Sequence, residues 1–215
     1  MGTVHEPTGL ALVRRKGTLS LGGLDVLEAR LDSLATAALP AAWPLPAIAT
    51  ARHPAEGGGG NLSVSCRRSL LEKAIPWASA VDVELRSARS LAPVIAAAHQ
   101  HGRTVILSHH DFRATPSLAA LKKLAARAAS EGADLFKVAT LLRERADLQR
   151  LIDLQLEGLP VPVAAMGMGP AGRFSRLVLS GFGSPLCYGW LGKPQVPGQW
   201  PALKLAGLLA EVLPA

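Results

Sequence analysis

Short β-rich runs alternate along the chain with longer runs whose apolar residues recur at helical spacing. Candidate strands occupy 10–15 (LALVRR), 24–31 (LDVLEARL), 46–53 (PAIATARH), 80–87 (AVDVELRS), 104–112 (TVILSHHDF), 134–140 (DLFKVAT), 162–168 (PVAAMGM) and 184–190 (SPLCYGW). Helical runs follow most of them, at 69–79, 90–102, 116–132, 141–158, 171–183 and 199–213. In the third of these, Leu118, Leu121, Leu124 and Ala125 share one face. Gly132 and Gly158 stand where helix C-caps are expected. Repeated β-then-α units imply a parallel sheet with right-handed crossovers. Eight of them point to an α/β fold of the (β/α)8 TIM-barrel type, forming a single domain over 1–215. The shortage is at the front. Between the first two strand candidates only KGTLSLGG (16–23) remains, too little for a crossover helix, and DSLATAALPAAWPL (32–45) is short and broken by Pro40. The expected barrel is therefore abbreviated at its N-terminal side, with the first crossover helix missing and the second short.

Strand residues alternate between the barrel lumen and the helix layer. In VLEARLD, Leu27, Ala29 and Leu31 oppose Glu28, Arg30 and Asp32; in VDVEL, Val81, Val83 and Leu85 oppose Asp82 and Glu84. Phe136 and Val138 oppose Lys137, Ser108 and His110 share a face, His109 takes the other, and Arg52 ends the third candidate. The apolar sets suit packing against helices, which leaves the charges pointing inward. Buried charges are costly unless they pair or bind something. An interior ion-pair network would account for part of the set. Charges near the C-terminal ends of several strands also mark the catalytic face of this fold. A lysine in an apolar strand is either a snorkelling edge residue or a nucleophile. Inside a barrel, desolvation and neighbouring arginines would favour the neutral amine that attacks a carbonyl to form a Schiff base. The adjacent imidazoles at 109 and 110 are open to reading as core, surface or base; alternation makes His110 the candidate base and puts His109 outside the lumen.

Composition changes this picture little. The net charge is +7, but the arginines are scattered and nine Phe, Trp and Tyr side chains leave few stacking platforms, so no nucleic-acid partner is expected. No apolar stretch reaches the roughly 20 residues of a membrane span, and the N-terminus lacks a secretory pattern. A soluble, cytoplasmic protein is expected. Cys66 and Cys187 are expected to be free thiols, and no Cys/His cluster has zinc spacing.

The residues resemble those of type I 3-dehydroquinate dehydratase, the Schiff-base enzyme of the shikimate pathway. The matching stretches, in order, are LEARLD (27–32), ARHPAEGG (51–58), VDVEL (81–85), SHHDF (108–112), ADLFKVAT (133–140), MGMGPAGRFSR (166–176), FGSPLCYG (182–189) and VPGQ (196–199). The resemblance implies that Lys137 is the Schiff-base lysine, His110 the general acid/base and Glu56 the carboxylate that orients it. It implies that Arg176 grips the substrate carboxylate and that Glu28, Arg30 and Arg52 surround the substrate hydroxyls. Met166 and Met168 would form an apolar wall, and Gln199 a lid, with Gln195 beside it where the family usually has a small residue. His109 also departs from the family, which commonly has an aromatic there. The implied reaction is syn-dehydration of 3-dehydroquinate to 3-dehydroshikimate, without metal or cofactor. A non-catalytic barrel binding a shikimate-type ligand or a partner, and a Schiff-base lyase for another hydroxy-ketone acid, are the alternatives. AEGGGGNLS (55–63) lacks the Lys-Ser/Thr of a P-loop and is expected to be a mobile loop beside Glu56. KPQVPGQWP (193–201) is expected to be a lid rather than a proline-rich ligand. The short front end would expose Leu10, Leu12, Leu27 and Leu31, so a homodimer covering them is expected.

Overall fold

The computed structural model describes residues 1–16, 21–34 and 37–213. Among these, eight parallel strands form one curled sheet: β1 (Gly2–Val4), β2 (Leu27–Arg30), β3 (Ala47–Thr50), β4 (Ala80–Glu84), β5 (Thr104–Asp111), β6 (Leu135–Leu141), β7 (Val163–Met168) and β8 (Gly189–Leu191). Helices stand between them: α1 (Pro7–Lys16), α2 (Leu31–Leu34), α3 (Val64–Ala74), α4 (Ala92–Gln100), α5 (Leu118–Ser130), α6 (Arg145–Leu156), α7 (Gly172–Gly181) and α8 (Ala202–Val212). The ladder runs from β8 through β1 and β2 in sequence order to β7. This is the expected (β/α)8 arrangement. None of the described residues forms a ladder between β7 and β8.

The local reasons are visible in α5. Ser117 accepts a hydrogen bond from the Ala120 N–H at 3.3 Å and starts the helix. Leu121, Ala125 and Ala128 form its buried stripe, and Gly132, at φ +91°, turns the chain into β6. On the sheet side, Val81, Val83, Val105, Leu107, Phe136 and Val138 are fully buried against the helices. Each such aliphatic or aromatic side chain contributes roughly 1.5–3 kcal/mol by leaving water.

The front of the barrel departs from expectation. Residues 10–15 are not a strand but lie inside α1, and the first strand is the three-residue β1. Leu10 and Val13, three apart, are the residues of this run that bury, while Ala11 and Arg14 are exposed. Pro7 occupies the first helical position, where its missing N–H costs nothing. A short apolar run cannot be assigned by periodicity alone. The first crossover helix is therefore present. The second is indeed short, at four residues. Residues 17–20 of KGTLSLGG and 35–36 of DSLATAALPAAWPL lie outside the described residues.

The apolar face expected to be bare is covered by the chain itself. Leu10 and Leu27 pack with Val4, Val13, Leu191 and Ala202 in one cluster. Leu10, Leu27 and Leu31 are 3%, 0% and 3% exposed, and Leu12 is half-buried. The reason for placing a second subunit on that face disappears with it. At the other end of the chain, β8 occupies only 189–191, past most of the expected 184–190. The Met1 ammonium donates to the Cys187 carbonyl at 2.9 Å, tying the N-terminus to that approach. No described helix is long and apolar enough to cross a membrane.

Candidate active site

Alternation along the strands carries the charges inward. Thr3 on β1 lies in register with Glu28 on β2, and its hydroxyl donates to Glu28 Oε2 at 2.9 Å. Thr50 on β3 donates to Glu28 Oε1 at 2.9 Å. On β4, Asp82 accepts from Arg52 Nη2 at 2.9 Å, from Ser108 Oγ at 2.6 Å and from Lys137 Nζ at 2.8 Å. Glu84 accepts from Arg52 Nη1 at 3.3 Å, from Arg67 Nη1 at 2.6 Å and from the His53 N–H at 2.8 Å. Burial works against ionisation of Asp82, but Arg52 and Lys137 overcome it and hold its carboxyl well below the usual range.

Lys137 reaches this network from β6 and is 3% exposed. Its Nζ also contacts Glu28 Oε1 at 3.5 Å and sits 4.0 Å from the centroid of the Tyr188 ring, on its face. The direct partners of Lys137 are thus two carboxylates and an aromatic face. Arg52 is close by, since its Nη2 and Lys137 Nζ bind the same Asp82 oxygen.

His110 lies near the end of β5, three positions past Leu107. Its ring Nδ1 is 3.0 Å from Glu56 Oε2, and its backbone N–H donates to the same oxygen at 3.0 Å. Glu56 closes a single 3-10 turn, Pro54–Glu56, capped by the His53 side chain accepting from the Ala55 N–H. Burial, together with the Arg52 and Lys137 cations, pushes His110 well below the ordinary imidazole range, so its ring is neutral at pH 7. Burial raises Glu56 to about 7; Glu84 adds to the rise, and Arg52, the His110 N–H and Arg86 offset part of it. With a neutral ring, the Nδ1–H points at Glu56 and leaves Nε2 as the free base.

Every side chain expected at the site lines one cavity of about 160 Å³: Glu28, Arg30, Arg52, Glu56, His110, Lys137, Met166, Met168, Arg176, Gln195 and Gln199. Thr3, Phe112, Ala139, Tyr188 and Val196 join them. Thr3 escaped notice because β1 did, and Tyr188 because, inside the expected strand 184–190, it carries no charge. The period-two pattern of Tyr188 and Trp190 was the available signal. Arg67 escaped because it enters from α3, not from a strand.

The glycine run is hydrogen-bonded to Arg30 and Asp32. Arg30 grips Asp32 through Nε and Nη2 at 2.9 and 2.8 Å and donates from Nη2 to the Gly57 carbonyl at 3.0 Å. The Gly59 N–H donates to Asp32 Oδ2 at 2.8 Å, so it is not available to cradle a phosphate. A Cβ on Gly58 would lie 2.2 Å from the Arg52 carbonyl oxygen, which accounts for glycine there. Across the mouth, Gln199 Oε1 accepts from the Gln195 N–H at 2.8 Å and the Val196 N–H at 3.4 Å, folding the proline-rich segment over the cavity.

Arg176 occupies the unpaired seam of the sheet. Its Nε donates to the Tyr188 carbonyl at 3.0 Å, and its Nη1 to those of Gly167 and Gly172 at 2.9 and 2.8 Å and to that of Gly198. It is 2% exposed and touches no carboxylate among the described residues, and burial pushes its guanidinium down to about 10. Nη2 makes no hydrogen bond among the described residues and is left for the cavity. A lysine has a single nitrogen and cannot span these carbonyls. Arg176→Lys should therefore cost about 2–4 kcal/mol in chemical denaturation. An unchanged midpoint would show that the seam does not depend on the guanidinium.

No group of three His, Cys, Asp or Glu side chains among the described residues is arranged to hold a metal ion. What the cavity does hold is an amine paired with carboxylates, a neutral imidazole backed by a carboxylate, and a guanidinium with an uncommitted nitrogen. That combination suits attack on a carbonyl and proton transfer beside it.

Comparison with known proteins agrees on one family. The type I 3-dehydroquinase family model matches residues 6–212. The 3-dehydroquinate dehydratase of Methanothermobacter thermautotrophicus is 34% identical over 217 aligned positions, covering 98% of this chain and 96% of that protein. The crystal structure of 3-dehydroquinate dehydratase from Geobacillus kaustophilus superposes with a TM-score of 0.84 at 25% identity, covering 98% of this chain and 89% of that one. The type I enzyme of Clostridium difficile, solved with covalently modified comenic acid, gives 0.76 at 26% identity over 88% and 81% of the two chains. With the match running through nearly every strand and helix described above, the chain belongs to the type I 3-dehydroquinase family.

Proposed function

We propose that this protein converts 3-dehydroquinate to 3-dehydroshikimate through an imine on Lys137, as a step of the shikimate pathway. The observation that carries this reading is that Lys137 and the Glu56-backed His110 line the same small cavity. The covalent ligand of the Clostridium difficile relative accords with a nucleophile in such a barrel.

The Lys137 ammonium passes a proton to His110, the free amine attacks the C3 ketone, and His110 returns that proton to the carbinolamine hydroxyl, which leaves as water to give the iminium. Asp82 and Glu28 face Nζ, and the ring of Tyr188 covers it. These groups suit a cation, and the positive charge persists from ammonium to iminium. His110 Nε2 then removes the C2 proton, and the electron pair passes into the iminium to give an enamine. The imidazolium returns the proton to the C1 hydroxyl as the enamine pushes it out as water. A second water hydrolyses the iminium and frees Lys137. Glu56 acts on His110 as a positioning residue. Arg176 Nη2 binds the substrate carboxylate; Glu28, Arg30 and Arg52 meet its hydroxyls. Met166 and Met168 pack on the ring, and Gln199 with Gln195 closes the mouth. The lysine, histidine and carboxylate are all retained in one cavity, which favours catalysis over a binding-only barrel.

The test is direct. Purified protein mixed with 3-dehydroquinate should produce the ultraviolet absorbance of the conjugated enone. If no absorbance grows while the ligand still binds, the binding-only reading replaces this one.

A further inference from the structure

A second cleft, of about 490 Å³, opens on the outer flank of the barrel mouth. It lies between the 3-10 turn Leu85–Ser87, the end of β5 and α5. Arg86, Arg113, Arg127 and His109 line it. The side chains of Arg86, Arg113 and His109 make no hydrogen bond or ion pair among the described residues. Arg127 is only partly committed, donating to the Leu85 carbonyl at 3.2 Å and lying 3.7 Å from Glu131. The acidic side chains on the cleft are engaged elsewhere. Glu56 accepts from His110, and Asp111 Oδ1 accepts from the N–H groups of Arg113 and Ala114 at 2.8 and 3.0 Å.

We propose that this cleft binds a small phosphate-bearing anion. Arg86, Arg113 and Arg127 line one concavity, and their summed positive potential there favours an anion. The arginine fork matches the oxygens of phosphate, so two uncommitted forks suit a dianion better than a point charge would. Burial keeps His109 below the ordinary imidazole range, against the opposing charge of Asp111 and with help from Arg86, so its neutral ring can donate one N–H without adding charge. This gives His109 a place in the molecule that neither the barrel lumen nor the helix-packed core supplies. The site is separate from the reaction cavity but shares Glu56, His110 and Phe112 with it as a wall. Arg86 is also one of the cations that offset the burial of Glu56. An occupant of the cleft is therefore within electrostatic reach of the proposed acid/base pair.

Inorganic phosphate titrated into the intact protein at constant low ionic strength, with chloride as the matched salt, tests this. Calorimetry and the ring resonances of His109 are the readouts. Saturable binding is expected, with the His109 signals moving along the same isotherm. Affinity should fall about tenfold or more in the Arg86→Ser/Arg113→Ser protein, whose two substitutions are at exposed positions. If that variant unfolds, Arg113→Ser alone must weaken binding in the same direction. A heat that never saturates and is matched by chloride would overturn the proposal. So would saturable binding that survives both substitutions and is lost in Arg176→Gln, since the anion would then lie in the barrel. The readout is binding, so a negative result leaves the dehydration reading standing.

Discussion

Lys137→Met is expected to lower turnover of 3-dehydroquinate by about 10⁴-fold or more and to abolish imine trapping. With substrate and borohydride, the native protein should gain one reduced adduct, mapped by peptide mass to Lys137. An adduct on Lys122 or Lys123, both on the barrel exterior in α5, would overturn the assignment. The same substitution should also destabilise the fold. Methionine removes the cation that faces Asp82 at 2.8 Å and Glu28 at 3.5 Å, both essentially buried. Stripping one partner from a buried ion pair costs about 3–5 kcal/mol. Lys137→Met combined with Asp82→Asn should recover part of that loss without recovering activity. If stability and activity return together, Lys137 is a structural counter-ion and not a nucleophile.

Replacing His110 with alanine should cost about 10²–10⁴-fold in kcat, whereas His109→Phe should leave kcat near the native value. The reverse pattern would mean that proton transfer occurs on the outer side of β5. The pH profile separates the roles further. His110 is held neutral by burial and by the nearby Arg52 and Lys137 cations, so its own protonation lies well below the working range. Glu56, raised to about 7, is the group that changes state near neutrality. As pH falls through about 7, Glu56 takes up a proton and weakens as an acceptor for the His110 Nδ1–H. An acid limb of kcat/KM near pH 7 is therefore expected, and Glu56→Gln should remove it and lower the plateau. An unchanged limb in that variant would assign it to another group.

Stability should run the other way. The Glu56 carboxyl is raised from the ordinary 4.5 to about 7 in the folded protein, so its contribution is fully present below pH 4.5 and is lost as pH rises through 7. Glu56→Gln should consequently raise Tm at pH 8 relative to the native protein more than it does at pH 4.

The interior charges were legible in the sequence because their placement is local. In AVDVE and LFKVAT a period of two sends Asp82, Glu84 and Lys137 to one side and the valines and Phe136 to the other. The same alternation separated His110 from His109. Helices α3 to α8 followed from the helix-patterned runs after the strands, and the barrel from their regular alternation with strands. The front of the chain was misread because six apolar and basic residues satisfy either period, and only the packing of Leu10 and Val13 against Val4, Leu27 and Leu191 makes that run a helix. Once that helix is in place, the bare leucine face expected there does not exist.

Other features depend on contacts between distant parts of the chain. The sequence marked Lys137 and Asp82 as inward charges, but they are 55 positions apart, and only the closing of the sheet sets Nζ against that carboxylate and the Tyr188 ring. Arg176 carries no local sign that it fills the seam between β7 and β8, because its acceptors are backbone carbonyls that any residue could present. The arginine-lined cleft arises in the same way, from a turn after β4, the end of β5 and α5 meeting on one flank. The sequence by itself determined which residues face inward, since side-chain alternation follows from the backbone of each strand. Only the tertiary structure decided which of them meet, since charge pairing and burial depend on neighbours that the fold supplies.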